Sequence, residues 1–342
     1  MSKRTLLTFI VVGTVVAEMI SVPAVVAQVP SPPRPTQIVN VKGRAMRVWL
    51  TGIDQRKPGQ PVVILEAGAG AGLDRWTPEV VAGIAQLAPV VAYDRRGVGQ
   101  SEPDTVRPTI RRVSQSLHDL LEALRIPPPY VLVGASWGGA LIRGFSHAYP
   151  GEVAGFVYLD ALDPATREER AAVLPEAERK RALEPPTLPP IPPDTPPGLR
   201  AEYEQVSANM LNDYAEARSL HPDSGMPVAV IVASPPGRLK SDGALVRLQI
   251  ARQGEWALSS SNGLLIVSGS VGHNIQRDDP ALVIQAVKHV LKNASAGSQV
   301  LDASRLNEKS SVDLCVSVVR SASRVCRGWH SSPVDQFDML AP

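Results

Sequence analysis

Very little in this chain of 342 residues offers stabilisation from outside its own core. It has two cysteines, Cys315 and Cys326, both close to the C terminus. A disulfide scaffold is therefore excluded, and no spacing resembles a zinc site. In an oxidising compartment the two thiols could close one short loop. An excess of one charge is also missing: the formal net charge is +2, which gives no reason to expect a nucleic acid or an acidic surface as partner. Arg107, Arg111 and Arg112 gather near a helix start and read as a solvated face. There is no internal repeat. A long apolar run occurs once, from Leu6 to Val26, and Glu18 and Pro23 interrupt it, which argues against a stable membrane span.

The flanks of that run are informative. Lys3 and Arg4 precede it, and Val25-Val26-Ala27 supplies small residues for a cut after Ala27. This is the layout of a secretory signal peptide over residues 1–27, followed by a Pro-rich linker over 28–36. The sequence thus predicts export; the alternative is an uncleaved N-terminal membrane anchor. Apolar content of 44% and charge of 20% are ordinary for a globular chain. The length suits one large domain with an insertion as well as two small domains.

Strand and helix patterns alternate beyond the linker. Gln37 to Leu50 alternates around Lys42-Gly43, as in a hairpin. Continuous apolar runs at Pro61–Leu65, Pro89–Tyr93, Tyr130–Val133, Phe156–Leu159, Val228–Ala233 and Leu264–Val267 read as strands buried on both faces. Helical stripes lie between them: Val80, Val81, Ile84 and Leu87; then Leu117, Leu120, Leu121 and Leu124; a helix about Leu245–Leu258; and finally Val283, Val287 and Val290. The rhythm predicts an α/β fold, a mostly parallel sheet with helices on both faces. Residues 165–225 break it. Rich in Glu, Arg, Ala and Pro, with helical patches at 167–180 and 199–218, they read as an inserted helical, Pro-rich cap. The core then comprises 37–164 and 226–294. The C-terminal tail, 295–342, is expected to be peripheral.

Ligands of such sheets sit at the carboxyl ends of the strands, and there the chemistry-bearing residues fall. Tyr130–Val133 runs into Gly134-Ala135-Ser136-Trp137-Gly138 and on into a helix. A Gly-x-Ser-x-Gly turn between strand and helix is the context of an exposed nucleophile, because small neighbours let strand and helix close on a strained serine. The loop Glu66-Ala67-Gly68-Ala69-Gly70-Ala71-Gly72 leaves backbone amides bare. It reads as one wall of an oxyanion hole or as a flexible turn. Of the six histidines, His118, His147 and His289 lie in predicted helices, His221 in the cap and His330 in the tail. Only His273 follows a strand in a glycine-rich loop.

Four segments together resemble the α/β-hydrolase fold family, over roughly 37–292: the glycine loop, YDRRGVGQS after the next strand, GASWGG at the elbow, and GHN before the last helix. The resemblance implies Ser136 as nucleophile, His273 as general base, and the amides of Ala69 and Trp137 as the oxyanion hole. It departs from the family's pattern in two places. Ala67 stands where His is frequent, and ASPPGRLKSD after the strand at 228–233 has no carboxylate before Asp242. A branch of the family carries the acid one strand earlier, which implies Asp160 in VYLDALDP, with Asp163 and Asp242 as alternatives. Serine rather than aspartate at the elbow implies an acyl-enzyme and a small-molecule acyl substrate, an ester or lactone, with no cofactor or metal. Ser136-Trp137-Gly138 also resembles the elbow of proline-specific aminopeptidases, so peptide hydrolysis is a second expectation. A non-catalytic ligand-binding homologue is a third.

Overall fold

The computed structural model describes residues 35–161, 165–183, 190–220, 225–297, 315–319 and 325–326. The expected signal peptide, most of the linker, Asp163, His221 and His330 lie outside them. Ten strands form one sheet: β1 (Thr36–Val41), β2 (Arg44–Thr51), β3 (Val62–Glu66), β4 (Val90–Tyr93), β5 (Tyr130–Ala135), β6 (Val153–Leu159), β7 (Val228–Ala233), β8 (Gly263–Ser268), β9 (Cys315–Val319) and β10 (Val325–Cys326). Their order is β1-β2-β4-β3-β5-β6-β7-β8-β9-β10. β1 and β2 form the expected hairpin, turning at Lys42 and Gly43 with φ of 50° and 84°. Two left-handed residues in succession match the twist of the flanking strands. From β4 through β9 the neighbours are parallel.

β3, β4, β5 and β7 are buried along their whole length, so their sequences show no polar alternation. Side chains still alternate between faces. Val63 and Leu65 join a cluster with Val80, Val81 and Ile84 of α1 (Pro78–Ala85) and Val283, Val287 and Val290 of α9 (Pro280–Gly297). Val62 and Ile64 join the opposite cluster, with Leu117, Leu120 and Leu121 of α2 (Ile110–Ala123), Phe145 of α3 (Gly138–Ala148) and Trp256 of α7 (Pro236–Leu258). Thr77 caps α1 by accepting the Val80 amide, with Pro78 at the first helical position, as its sequence suggests.

The insertion supplies α4 (Arg167–Val173), α5 (Glu176–Leu183) and α6 (Pro197–Ser219) between β6 and β7. Thr166 and Glu169 form a reciprocal capping box on α4. A one-turn helix, α8 (Ile275–Asp278), precedes α9. One expectation is corrected. α7 begins at Pro236, well before Leu245: a proline at the first helical turn is preorganised for it, while the apolar periodicity that marks the helix appears only later. Within the tail, two short segments add to the outer edge of the sheet. β9 pairs parallel with β8, and β10 antiparallel with β9 with Cys326 opposite Cys315. An open strand edge is a row of unsatisfied amides and carbonyls, and a valine-rich segment pairs with it. Among the described residues no helix is long and apolar enough to cross a membrane.

Candidate active site

β5 ends in a sharp turn. Ser136 has φ of 53°, in the left-handed region where a side chain is strained by roughly 1–2 kcal/mol. Its amide donates to the Leu159 carbonyl at 3.1 Å, and its carbonyl accepts from Gly139 at 3.0 Å, so strand and helix both hold the strained residue. The packing explains the glycines. A Cβ on Gly138 would sit 2.5 Å from the Glu66 carbonyl oxygen, and one on Gly68 would sit 3.0 Å from Ser136 Cβ and 3.5 Å from its Oγ. The glycine loop therefore lies directly against the serine hydroxyl.

On the adjacent strand, β6 ends in a second left-handed non-glycine residue, Asp160, with φ of 39°. It is 2% exposed. Its amide donates to Ile231 at 2.7 Å. Oδ1 accepts from the Ala233 amide at 3.1 Å and from Gln249 Nε2 of α7 at 3.0 Å. Oδ2 lies 2.7 Å from His273 Nδ1. With an ionised carboxylate as acceptor, the proton of the neutral ring sits on Nδ1, leaving the Nε2 lone pair available. The His273 loop is tied down by the Gly272 amide, which donates to Asp278 at 2.7 Å.

The structure thus joins Asp160 and His273 and sets Ser136 at the end of the strand next to Asp160. Among the described residues neither Ser136 Oγ nor His273 Nε2 makes a hydrogen bond. Contacts of that kind are often long before substrate binds. Asp242 falls within α7, and its side chain is not among those described. The amides of Ala69 and Trp137 also make no hydrogen bond among the described residues, so both have their donors unengaged, as an oxyanion hole requires.

Gln249 and a buried polar cage were not foreseen from the sequence. Arg95, 3% exposed, donates to Glu66 Oε1 at 2.6 Å and to the carbonyls of Ala67, Gly68 and Ala71 at 2.8, 2.7 and 3.1 Å. It also donates to both carboxylate oxygens of Glu202 in α6, at 2.8 and 2.6 Å. Tyr93 donates its hydroxyl to Glu66. Burial pushes the Glu66 carboxyl up, against the pull of Arg95 and Tyr93, and burial pushes the Tyr93 hydroxyl well above its ordinary range. Burial alone would lower Arg95, but Glu202 and Glu66 outweigh it and hold the guanidinium charged. The only sequence signal for this cage is Arg95 at the first turn after a buried strand.

Elsewhere, His118, Asp119 and Glu122 of α2 offer three possible metal-binding groups within 4.8 Å of one another. Lys42 already neutralises Asp119 at 2.5 Å, and His118 contacts Glu152 at 3.3 Å, so the cluster is satisfied as a surface ion pair. A cleft lined by Tyr93, Arg95, Arg96, Arg107 and Arg112 includes none of Ser136, Asp160 or His273.

Residues 60–188 match the family model described as the alpha/beta hydrolase fold. An uncharacterized protein of Bacillus subtilis (strain 168) is 26% identical over 234 residues, 67% of this chain and 82% of that protein. A proline iminopeptidase of Arabidopsis thaliana is 29% identical over 150 residues, 36% of this chain and 37% of that protein. Among solved structures, a haloalkane dehalogenase loop variant from Bradyrhizobium elkanii superposes with a TM-score of 0.58 at 21% identity, covering 77% of this chain and 98% of that one.

Proposed function

We propose that this chain, which belongs to the α/β-hydrolase fold family, is a serine hydrolase that cleaves an ester-type small molecule through an acyl-enzyme. The observation that carries the reading is the Asp160–His273 hydrogen bond at 2.7 Å, made at the strand end beside a left-handed Ser136. In this reading Ser136 Oγ attacks the substrate carbonyl carbon as His273 Nε2 takes the hydroxyl proton. Asp160 stays ionised, holds the tautomer and stabilises the imidazolium. The oxyanion is received by the Ala69 and Trp137 amides, and each such donor is worth roughly 3 kcal/mol in the transition state. The imidazolium then protonates the leaving alkoxide. Water, deprotonated by the same ring, hydrolyses the acyl-serine.

An ester asks least of this machinery, because an alcohol leaves more readily than an amine. Peptide hydrolysis remains the second reading, favoured by the similarity to the Arabidopsis proline iminopeptidase and by Ser136-Trp137-Gly138. We place the activity outside the cytoplasm on the strength of the signal-like residues 1–27. The test is turnover of p-nitrophenyl acyl esters and of an N-terminal prolyl anilide, with fluorophosphonate labelling. Ser136→Ala is expected to abolish ester turnover and labelling while circular dichroism is unchanged. Equal labelling of wild type and variant sinks the proposal.

A further inference from the structure

Both backbone segments assigned to the oxyanion hole are fastened to the same cap helix by buried carboxylates. On the glycine-loop side, Glu202 Oε1 of α6 accepts the Gly70 amide at 2.6 Å while the same carboxylate holds Arg95. Arg95 in turn binds the carbonyls of Ala67, Gly68 and Ala71. The Gly68 carbonyl and the Gly70 amide, on either side of Ala69, are thereby engaged, and the Ala69 amide makes no hydrogen bond among the described residues. On the elbow side, the indole Nε1 of Trp137 donates to Asp213 Oδ2 at 3.2 Å. Trp137 is the residue whose amide completes the hole, and its ring also lies 5.5 Å from the Arg95 guanidinium carbon. Glu202, Asp213 and Trp137 are at most 5% exposed.

The sequence spacing fits this double attachment. Glu202 and Asp213 are eleven residues apart on α6. At about 3.6 residues per turn that is close to three turns, which returns both carboxylates to one face roughly 16 Å apart. A helix lying over the strand ends can therefore reach the glycine loop with one carboxylate and the elbow tryptophan with the other. A cap that served only to select substrates would have no need to bury two carboxylates against the backbone that binds the reacting oxygen.

We propose that Glu202 and Asp213 are positioning residues, through which α6 sets the geometry of the Ala69 and Trp137 amides, so that seating of the cap controls the chemical step itself. The inference rests on the serine-hydrolase reading and adds to it. Glu202 acts through Gly70 and Arg95, and Asp213 through the Trp137 indole. Neither touches the substrate. Donors aimed at developing charge are worth much more than donors displaced by a fraction of an ångström, so loosening either tether lowers kcat and leaves ground-state binding nearly unchanged.

The test compares wild type, Ser136→Ala, Glu202→Gln and Trp137→Phe, the last removing the donor to Asp213 and keeping a ring in place. Steady-state kinetics on the best p-nitrophenyl ester are combined with the inhibition constant of an aryl trifluoromethyl ketone, whose hemiketal oxygen must occupy the hole. Glu202→Gln is expected to lower kcat by about 10- to 100-fold with KM changed less than about 3-fold, and to weaken the ketone in parallel. Trp137→Phe should move the same two quantities by about 10-fold. If Glu202→Gln does not fold, Glu202→Asp keeps the charge beside Arg95, shortens the reach to Gly70, and must show the same split. A folded variant with unchanged kcat, or with the whole effect in KM, overturns the inference alone. A wild type without Ser136-dependent turnover overturns the proposed function, and this inference with it.

Discussion

On one side of Ser136 stands a pair, Asp160 and His273, supported by the sheet and its packed helices. Its carboxylate is held by the Ala233 amide at the end of β7 and by Gln249 of α7. On the other side lies a glycine loop that contributes almost no side chains. Its shape depends on Arg95 from the core and Glu202 from the cap. The first side is built from strands and a helix of the core. The second is completed only when an inserted helix docks. On the proposed reading, the pair that moves the proton rests on the sheet, and the insertion bears on the oxyanion hole.

The largest effect tests the core side. Asp160→Asn is expected to lower kcat by about 10⁴-fold, because an amide cannot hold His273 in the tautomer that leaves Nε2 unprotonated. Asp242→Asn should change kcat less than about 2-fold, and steady-state kinetics on the same ester distinguish the two. The reverse result would move the acid to the helix after β7 and dissolve the contrast between the two sides. A smaller effect is expected from Gln249→Leu, which removes one of the donors to Asp160 and leaves the Ala233 amide and His273 in place. A loss of about 10-fold in kcat, with KM unchanged, would show that α7 steers the carboxylate. No change would show that the sheet holds it unaided.

The two sides also differ in how far the residues alone disclose them. Ser136 is legible because its signal is local: a strand, a tight turn with small residues, and a helix, all within one stretch. Asp160 is reached only through the resemblance to a branch of the family that carries its acid at this strand end, with Asp163 and Asp242 left as alternatives, and the left-handed φ it shares with Ser136 is not visible in the residues. Gln249 is not legible, since a glutamine within a 23-residue helix looks like any solvent-facing position until the packing is known. Glu202 and Asp213 are hidden for a similar reason. α6 is polar on most sides, and carboxylates on such a helix ordinarily face water. Their common face is visible in the spacing, but their burial depends on docking partners 76 and 132 residues earlier in the chain. The start of α7 is hidden because the segment from Gly237 to Asp242 has no apolar periodicity to mark it.

The smallest effect concerns stability and reads the cap side without any catalysis. Burial pushes the Asp213 carboxyl up from 3.8 to about 6, with Glu216 adding to the shift and the Trp137 indole opposing it. The folded protein therefore holds a proton that the unfolded chain has already released. Between about pH 4 and pH 6 the native state binds more protons than the unfolded state, so the contribution of this group to stability falls as pH rises. A difference of about 2 units corresponds to an upper bound near 3 kcal/mol, reached above pH 6. Asn cannot ionise, yet its carbonyl can still accept the indole N–H. Wild type and Asp213→Asn should thus have nearly equal unfolding free energies at pH 4, and the variant should become the more stable by pH 8, by up to about 3 kcal/mol in urea titrations. Parallel pH profiles would mean that this carboxyl ionises as it would in water, and hence that α6 does not rest on Trp137 in solution. That outcome would separate the cap from the elbow and leave Glu202 as its remaining tether to the site.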